Sequence, residues 1–408
     1  MSVVARASTT STISAVPALA GPTALPAAER GQAAERSQAT ERGQAALLSL
    51  DDVEAAARAV LPAAARDYVA GGSGAELTVR ANREAFDRIQ FVPRVLGGMA
   101  GCDLSTTVLG TPLAMPVGVA PMAYQRLLHP EGELALARAA RDAGVVFVAS
   151  MLSSYSIEEI AATGVQTWLQ LYWLHDRRMV SDLVERAEQA GCRAIVLTVD
   201  VPRMGRRLRD MRSGFVLPDG VVAANLPPQV VAAASDRLPN ESSLMVHTAL
   251  AFDPALSWLD IDWLRCRTTL PLVVKGILHP DDALRAVEVG VDAVVVSNHG
   301  GRQLDGAVPS ISALPEIRAA VGRRCEVLLD SGVRSGSDVL RALAGGASAV
   351  LVGRPALWGL AVGGEEGAAQ VLALLRTELD DAMVLTGCAD VAAAGRLTVI
   401  EAGAGGRP

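Results

Sequence analysis

From Pro116 onward the chain alternates short, near-continuous apolar runs with stretches whose apolar positions recur at helical spacing. This is the pattern of repeated βα units, in which a parallel strand is buried on both faces and so shows no polar side. Eight runs fit: Pro116 to Pro121, Val145 to Ser150, Thr167 to Tyr172, Ala194 to Asp200, Leu272 to Gly276, Ala293 to Asn298, Val327 to Asp330, and Ala349 to Gly353. Eight units predict a closed (β/α)8 barrel, the TIM barrel of the α/β class. A doubly wound open sheet is the rival, but no Gly-x-Gly-x-x-Gly turn follows an early strand.

The rhythm breaks once. Residues 201–270 separate the fourth run from the fifth, far beyond the two to six residues usual for such a loop. An insertion there, after a strand and on the catalytic face, predicts a lid. Ahead of the barrel, Ser49 can cap a helix opening Leu50-Asp51-Asp52, with Asp52 where the helix dipole favours negative charge. That helix is expected to reach about Ala59, before Pro62. A second ends at Tyr68-Val69-Ala70 and runs into the pliable turn Gly71-Gly72-Ser73-Gly74.

Residues 1–46 carry few large apolar side chains and repeat Glu-Arg-(Gly/Ser)-Gln-Ala from Glu29, Glu35 and Glu41. Such composition predicts a disordered tail; a transit peptide is the alternative, against which the sparse arginine and Pro17 count. The expected organisation is tail 1–46, barrel domain 47–395 containing the insertion 201–270, and a flexible tail 396–408.

With 408 residues, half of them hydrophobic, the chain can bury a large core. A net charge of −7 from 37 basic and 44 acidic residues lacks the basic excess of a nucleic-acid binder. The five cysteines form no CxxC pair, which suits buried thiols in a reducing compartment. No run approaches the roughly 20 apolar residues of a spanning helix. The expectation is a soluble cytoplasmic protein without membrane or nucleic-acid partners.

Barrel enzymes gather their working residues at the carboxyl ends of the strands. Polar groups crowd those ends here: Ser150, Gln170 and Tyr172, Thr198 and Asp200, Lys275, Ser297 with His299 and Arg302, Asp330 with Arg334, and Arg354 after Gly353. Lys275 is the only lysine in the chain; a compact ammonium after an apolar strand suits point contact with a developing anion better than a planar guanidinium does. His299 lies on the loop Ser297-Asn298-His299-Gly300-Gly301-Arg302, placed for a general base, and Asp200 can stabilise its protonated form if their strand ends converge. No second histidine or cysteine stands at zinc-ligand spacing, so no metal is expected. Asp330-Ser331-Gly332-Val333-Arg334 and Val352-Gly353-Arg354-Pro355 end the last two strands, where barrels often bind phosphate through amides and arginine forks.

These stretches resemble the FMN-dependent 2-hydroxy acid oxidases and dehydrogenases, the family of glycolate oxidase, lactate oxidase and mandelate dehydrogenase. The resemblance covers about Ser49 to Cys388. Its most specific parts are Ser297 to Asp305, Leu197-Thr198-Val199-Asp200-Val201-Pro202-Arg203 with Gly205-Arg206-Arg207, and His129-Pro130-Glu131-Gly132-Glu133. The resemblance implies FMN as cofactor and His299, Asp200 and Tyr172 as the catalytic set, His299 being the base. It implies that Tyr68, Tyr172, Arg207 and Arg302 hold the substrate carboxylate. Lys275 is similar to the lysine beside flavin N1. Ser150, Gln170, Thr198 and the backbone of Pro121, Met122 and Ala123 resemble flavin-ring contacts, while Gly332, Arg334, Gly353 and Arg354 resemble the phosphate site; Ser297 and Asp330 are counted with the cofactor set. Many relatives have Gly-Gly where this chain has Ser331-Gly332.

A narrower resemblance, to 4-hydroxymandelate oxidases, runs through Ala123-Tyr124-Gln125-Arg126-Leu127 and Met204 to Arg212. Tyr124 either walls a pocket for an aromatic substrate beside Met151 or packs beneath the insertion. The resemblance implies oxidation of an (S)-2-hydroxy acid, with (S)-4-hydroxymandelate or mandelate as substrate, oxygen as acceptor and hydrogen peroxide as product, in a homo-oligomer, a tetramer in this family. Lactate- or glycolate-type oxidation, a dehydrogenase with another acceptor, and a flavin-dependent isomerase are the alternatives. Hydride and carbanion routes use the same residues.

Overall fold

The computed structural model describes residues 47–98, 100–227 and 251–402; the expected tail 1–46, the centre of the insertion and the last residues lie outside them. Ser49 caps α1 (Leu50–Val60), its hydroxyl accepting from the Asp52 amide while the Asp52 carboxylate returns to the Ser49 amide. There follow α2 (Ala63–Ala70), α3 (Leu77–Asp87), β1 (Ile89–Phe91) and the hairpin β2 (Thr106–Val108) and β3 (Thr111–Leu113).

The barrel then runs β4 (Val117–Val119), α4 (Gly132–Asp142), β5 (Val146–Ser150), α5 (Ile157–Ala161), β6 (Thr167–Leu171), α6 (Arg177–Gln189) and β7 (Ile195–Thr198). After the insertion, which contributes α7 (Leu208–Ser213) and α8 (Trp258–Arg265), come β8 (Leu272–Ile277), α9 (Pro280–Glu288), β9 (Ala293–Val296), α10 (Ser310–Val321), β10 (Glu326–Leu329), α11 (Gly336–Ala344), β11 (Ala349–Val352) and α12 (Arg354–Thr386). All eight strands pair in parallel in sequence order, and β11 closes on β4. Each expected apolar run overlaps one of them, β8 running one residue past its run to Ile277 and β10 starting one residue before its run at Glu326.

Val146, Val148, Trp168, Val196, Val273, Val295, Leu328 and Leu351 share one buried cluster with Val108 and Leu113 of the β2–β3 hairpin. Where one strand run gives two residues to this cluster they stand two apart, as Val146 and Val148 do, which is the alternation of a strand. The hairpin covers the end where strands begin, its Leu109 amide donating to the Glu326 carboxylate at 3.0 Å. The opposite end is left for chemistry.

One expectation is corrected. The chain after 395 is not a tail from 396 onward: past α13 (Val391–Ala394), β12 (Val399–Glu401) pairs antiparallel with β1, Phe91 opposite Val399. Three residues are too few for a periodic signal, and the partner strand lies at the other end of the domain. The insertion is also tied down on its return, where the Phe252–Leu174 bridge and the His175 and Asp253 amides hold it to the loop after β6.

Candidate active site

A cavity opens at the carboxyl ends of the strands. After β9 the chain makes one tight turn, His299–Gly301, with His299 itself in the left-handed region at φ 58. The Asn298 side chain fixes this turn, accepting from the Gly301 amide at 3.1 Å and donating to Asn82 at 2.7 Å. His299 Nδ1 lies 3.0 Å from Asp200 Oδ1. Since Asp200 can only accept when ionised, Nδ1 carries the proton and Nε2 is the free lone pair.

Burial pushes the His299 pKa down, aided by the positive charges of Lys275 and Arg207, and outweighs the opposing pull of Asp200. The ring is therefore a neutral base at neutral pH. Burial works to raise Asp200, but the facing His299 and then Lys275 hold it below the usual carboxylate range. Lys275 Nζ donates to Ser297 Oγ at 2.9 Å and pairs with Asp330 Oδ2 at 2.8 Å. Burial works to lower the Lys275 pKa, but Asp330 and then Asp200 more than offset that and hold it above its ordinary value.

Tyr68, Tyr172, Arg207 and Arg302 reach the same cavity. Arg302 Nη1 donates to the carbonyls of Tyr68 and Gly71, each at 2.8 Å, and its guanidinium lies 5.2 Å from the Tyr68 ring. Arg207 is buried, its Nε has no hydrogen-bond partner, and burial with the facing Arg302 pushes it down to about 10. The buried Arg207, 4.0 Å from the Asp210 carboxylate, and the half-buried Arg302 beside two phenols can receive a carboxylate. Burial raises both phenols, so they remain donors.

Across the barrel floor Ser150 donates to Gln170 Oε1 at 3.1 Å and Gln170 Nε2 donates to Thr198 at 3.0 Å, a relay spanning β5, β6 and β7. Ser150, Thr198, Pro121, Met122 and Ala123 line the cavity; Gln170, Ser297 and Asp200 stand behind lining residues that they hold. At the far end lie Gly332, Arg334, Gly353 and Arg354. Arg354 donates to the carbonyls of Val69, Gly300 and Gly71, each at 2.9 Å. Burial, then Arg83, pushes Arg334 down to about 10; burial, then Arg302, lowers Arg354 further. Among the described residues neither pairs with a carboxylate. Two half-buried cations beside glycine amides fit a phosphate dianion, and the donor relay leading away from them fits a flat heteroaromatic ring: the residues present suit FMN.

Tyr124 does not line the cavity. It is buried, and nearby Tyr68 and Tyr172 add to the burial that raises its pKa, so packing is the role its placement supports. The structure adds residues that sequence reasoning passed over. Phe215 stacks on Tyr68 at 4.8 Å and Phe252 on Tyr172 at 4.6 Å, both from the insertion. Gln303 donates to the Asp200 carbonyl at 2.8 Å and accepts from the Gly205 amide at 3.0 Å. The one signal for the phenylalanines is scarcity, five in the whole chain.

A barrel whose strand ends combine a neutral histidine–aspartate pair, a carboxylate receptor and a phosphate-and-ring cradle defines a flavin-dependent oxidoreductase of small acids. The family model described as FMN-dependent dehydrogenase matches residues 57–401, and the chain belongs to that family: FMN is its cofactor and its chemistry is 2-hydroxy acid oxidation. It is 56% identical over 350 residues to the 4-hydroxymandelate oxidase of Amycolatopsis orientalis, covering 86% of this chain and 97% of the relative. It is 50% identical to the L-lactate oxidase of Nostoc sp. (84% and 95% covered). Among solved structures, mandelate oxidase with (S)-4-hydroxymandelic acid superposes with a TM-score of 0.84 at 55% identity, covering 87% of this chain and 99% of that one.

Proposed function

We propose that this enzyme oxidises (S)-4-hydroxymandelate or mandelate to the 2-oxo acid, with oxygen reduced to hydrogen peroxide. The observation that carries the reading is the neutral His299 ring held by Asp200 in a cavity that the buried Arg207 and the half-buried Arg302 also line. Bound FMN supplies a two-electron acceptor that oxygen can regenerate. Arg207 and Arg302 bind the substrate carboxylate, with Tyr68 and Tyr172 as further donors. His299 Nε2 takes the hydroxyl proton as hydride leaves Cα, or takes the Cα proton in a carbanion route; Asp200 stabilises the imidazolium either way. Lys275 would supply positive charge to the reduced ring. Ser150 and Thr198, tied together by Gln170, would hold the ring, and Gly332, Arg334, Gly353 and Arg354 the phosphate.

For the substrate side chain, Leu152, Val201, Met204 and Phe252 give the cavity an apolar wall, which suits an aryl group better than the hydrogen of glycolate. The similarity to 4-hydroxymandelate oxidase supports the same choice. Among the described residues no helix is long and apolar enough to cross a membrane; we assign the enzyme to the cytoplasm and to a homotetramer, which sizing in solution checks. The test of function is the visible spectrum under anaerobic (S)-4-hydroxymandelate: flavin bands that bleach, then return with one peroxide per turnover in air, are expected. Bleaching by lactate or glycolate alone would overturn the aryl assignment.

A further inference from the structure

Ser331 is one of six non-glycine residues with positive φ among the described residues, at φ 76. A side chain in that region is strained, so its persistence where glycine would sit at ease calls for a compensating contact. The contacts are specific. Ser331 Oγ donates to Asp330 Oδ1 at 2.8 Å and accepts from the Gly300 amide at 2.9 Å. From below, the Ser310 hydroxyl donates to the carbonyls of Asp330 and Ser331, at 2.5 and 3.2 Å. The Asp330 carboxylate is thus divided: Oδ2 faces Lys275 and Oδ1 faces Ser331. Lys275, His299, Gly300, Asp330 and Ser331 all line the one cavity.

We propose that Ser331 is a positioning residue whose hydroxyl couples the Lys275–Asp330 ion pair to the loop carrying His299. Two consequences follow from its place. By donating to Oδ1 it draws charge away from the carboxylate, so that less of the Lys275 field is neutralised and more reaches the cofactor edge. By accepting from Gly300 it pins the residue that follows the base. Replacement by glycine would relax the backbone and leave Asp330 Oδ1 and the Gly300 amide without this partner. The inference rests on the assignment of Lys275 to the flavin edge.

The test compares full-length FMN-loaded wild type with Ser331→Gly and Ser331→Ala, reading the midpoint potential of the bound flavin, the pH profile of kcat, and Tm. Both variants should shift the two-electron reduction equilibrium about tenfold against the reduced form, about 30 mV more negative, and lower kcat with little change in KM. Ser331→Gly, freed of left-handed strain, should keep its Tm, separating the effect from unfolding. A potential equal to wild type in both variants overturns the proposal, and so does a shift in only one, since that traces to backbone or Cβ and not to the hydroxyl. Wild type that holds no FMN would instead overturn the reading of the whole site.

Discussion

His299 Nδ1 and Asp200 Oδ1 stand 3.0 Å apart across 99 residues of sequence, although their strands, β7 and β9, are separated by β8. The contact needs space above β8, and Gly276 supplies it. The register of β8 against β9 slips between Lys275 and Ile277, and a Cβ at Gly276 would lie 2.6 Å from Asp200 Cβ, on a backbone at φ 114 that side chains avoid. Gly276→Ala should therefore displace the carboxylate and lower kcat by about 10- to 100-fold, comparable to a misplaced positioning group. Steady-state kinetics on protein shown folded by circular dichroism checks this.

The pH profile follows from the direction of the histidine shift. Because His299 is lowered by burial and neighbouring cations, the base form persists below the ordinary histidine range, and kcat/KM should fall only as pH drops through that depressed value. Asp200 is the group that pulls it back up. Asp200→Asn should accordingly move the acid limb to still lower pH while cutting kcat by about 100-fold or more; a limb that moves toward neutrality would contradict the pairing.

Arg207→Met removes one desolvated guanidinium from the carboxylate receptor. A hydrogen bond to a charged group contributes about 1.5–3 kcal/mol, so kcat/KM should drop by about 10- to 100-fold, read from initial rates across a substrate series that keeps the carboxylate.

Arg334→Gln takes a half-buried cation, 4.8 Å from the Trp358 ring, from the end of the cavity proposed for the phosphate. FMN affinity should weaken by at least about tenfold, by the same charged hydrogen-bond magnitude, measurable as flavin fluorescence released on dilution.

Ser49→Ala breaks the capping box of α1, whose Leu50 and Val53 are buried. The expected loss is about 1 kcal/mol of stability with kinetics unchanged, read from denaturant midpoints.

The barrel was legible because strands buried on both faces leave unbroken apolar runs, and the strand ends were legible because polar residues interrupt those runs at fixed places. Asp200 and His299 could be paired before their distance was known for that reason. Phe215 and Phe252 were not, because a stack depends on where the insertion returns, and no local periodicity encodes that. Tyr124 stood between two readings, pocket wall or packing, and its burial outside the cavity lining favours packing. Ser331 was visible only as a departure; its use emerged with the two partners of its hydroxyl.

Arg354 gathers three carbonyl oxygens, those of Val69 and Gly71 at the end of α2 and that of Gly300 beside the base. If Arg354 also receives the cofactor phosphate, as proposed, the same guanidinium would join that end to the segments that present Tyr68 and His299. Occupancy of the two halves of the cavity would then be thermodynamically linked, and linkage is reciprocal: whatever factor FMN adds to the affinity for a 2-hydroxy acid analogue, that analogue must return to FMN.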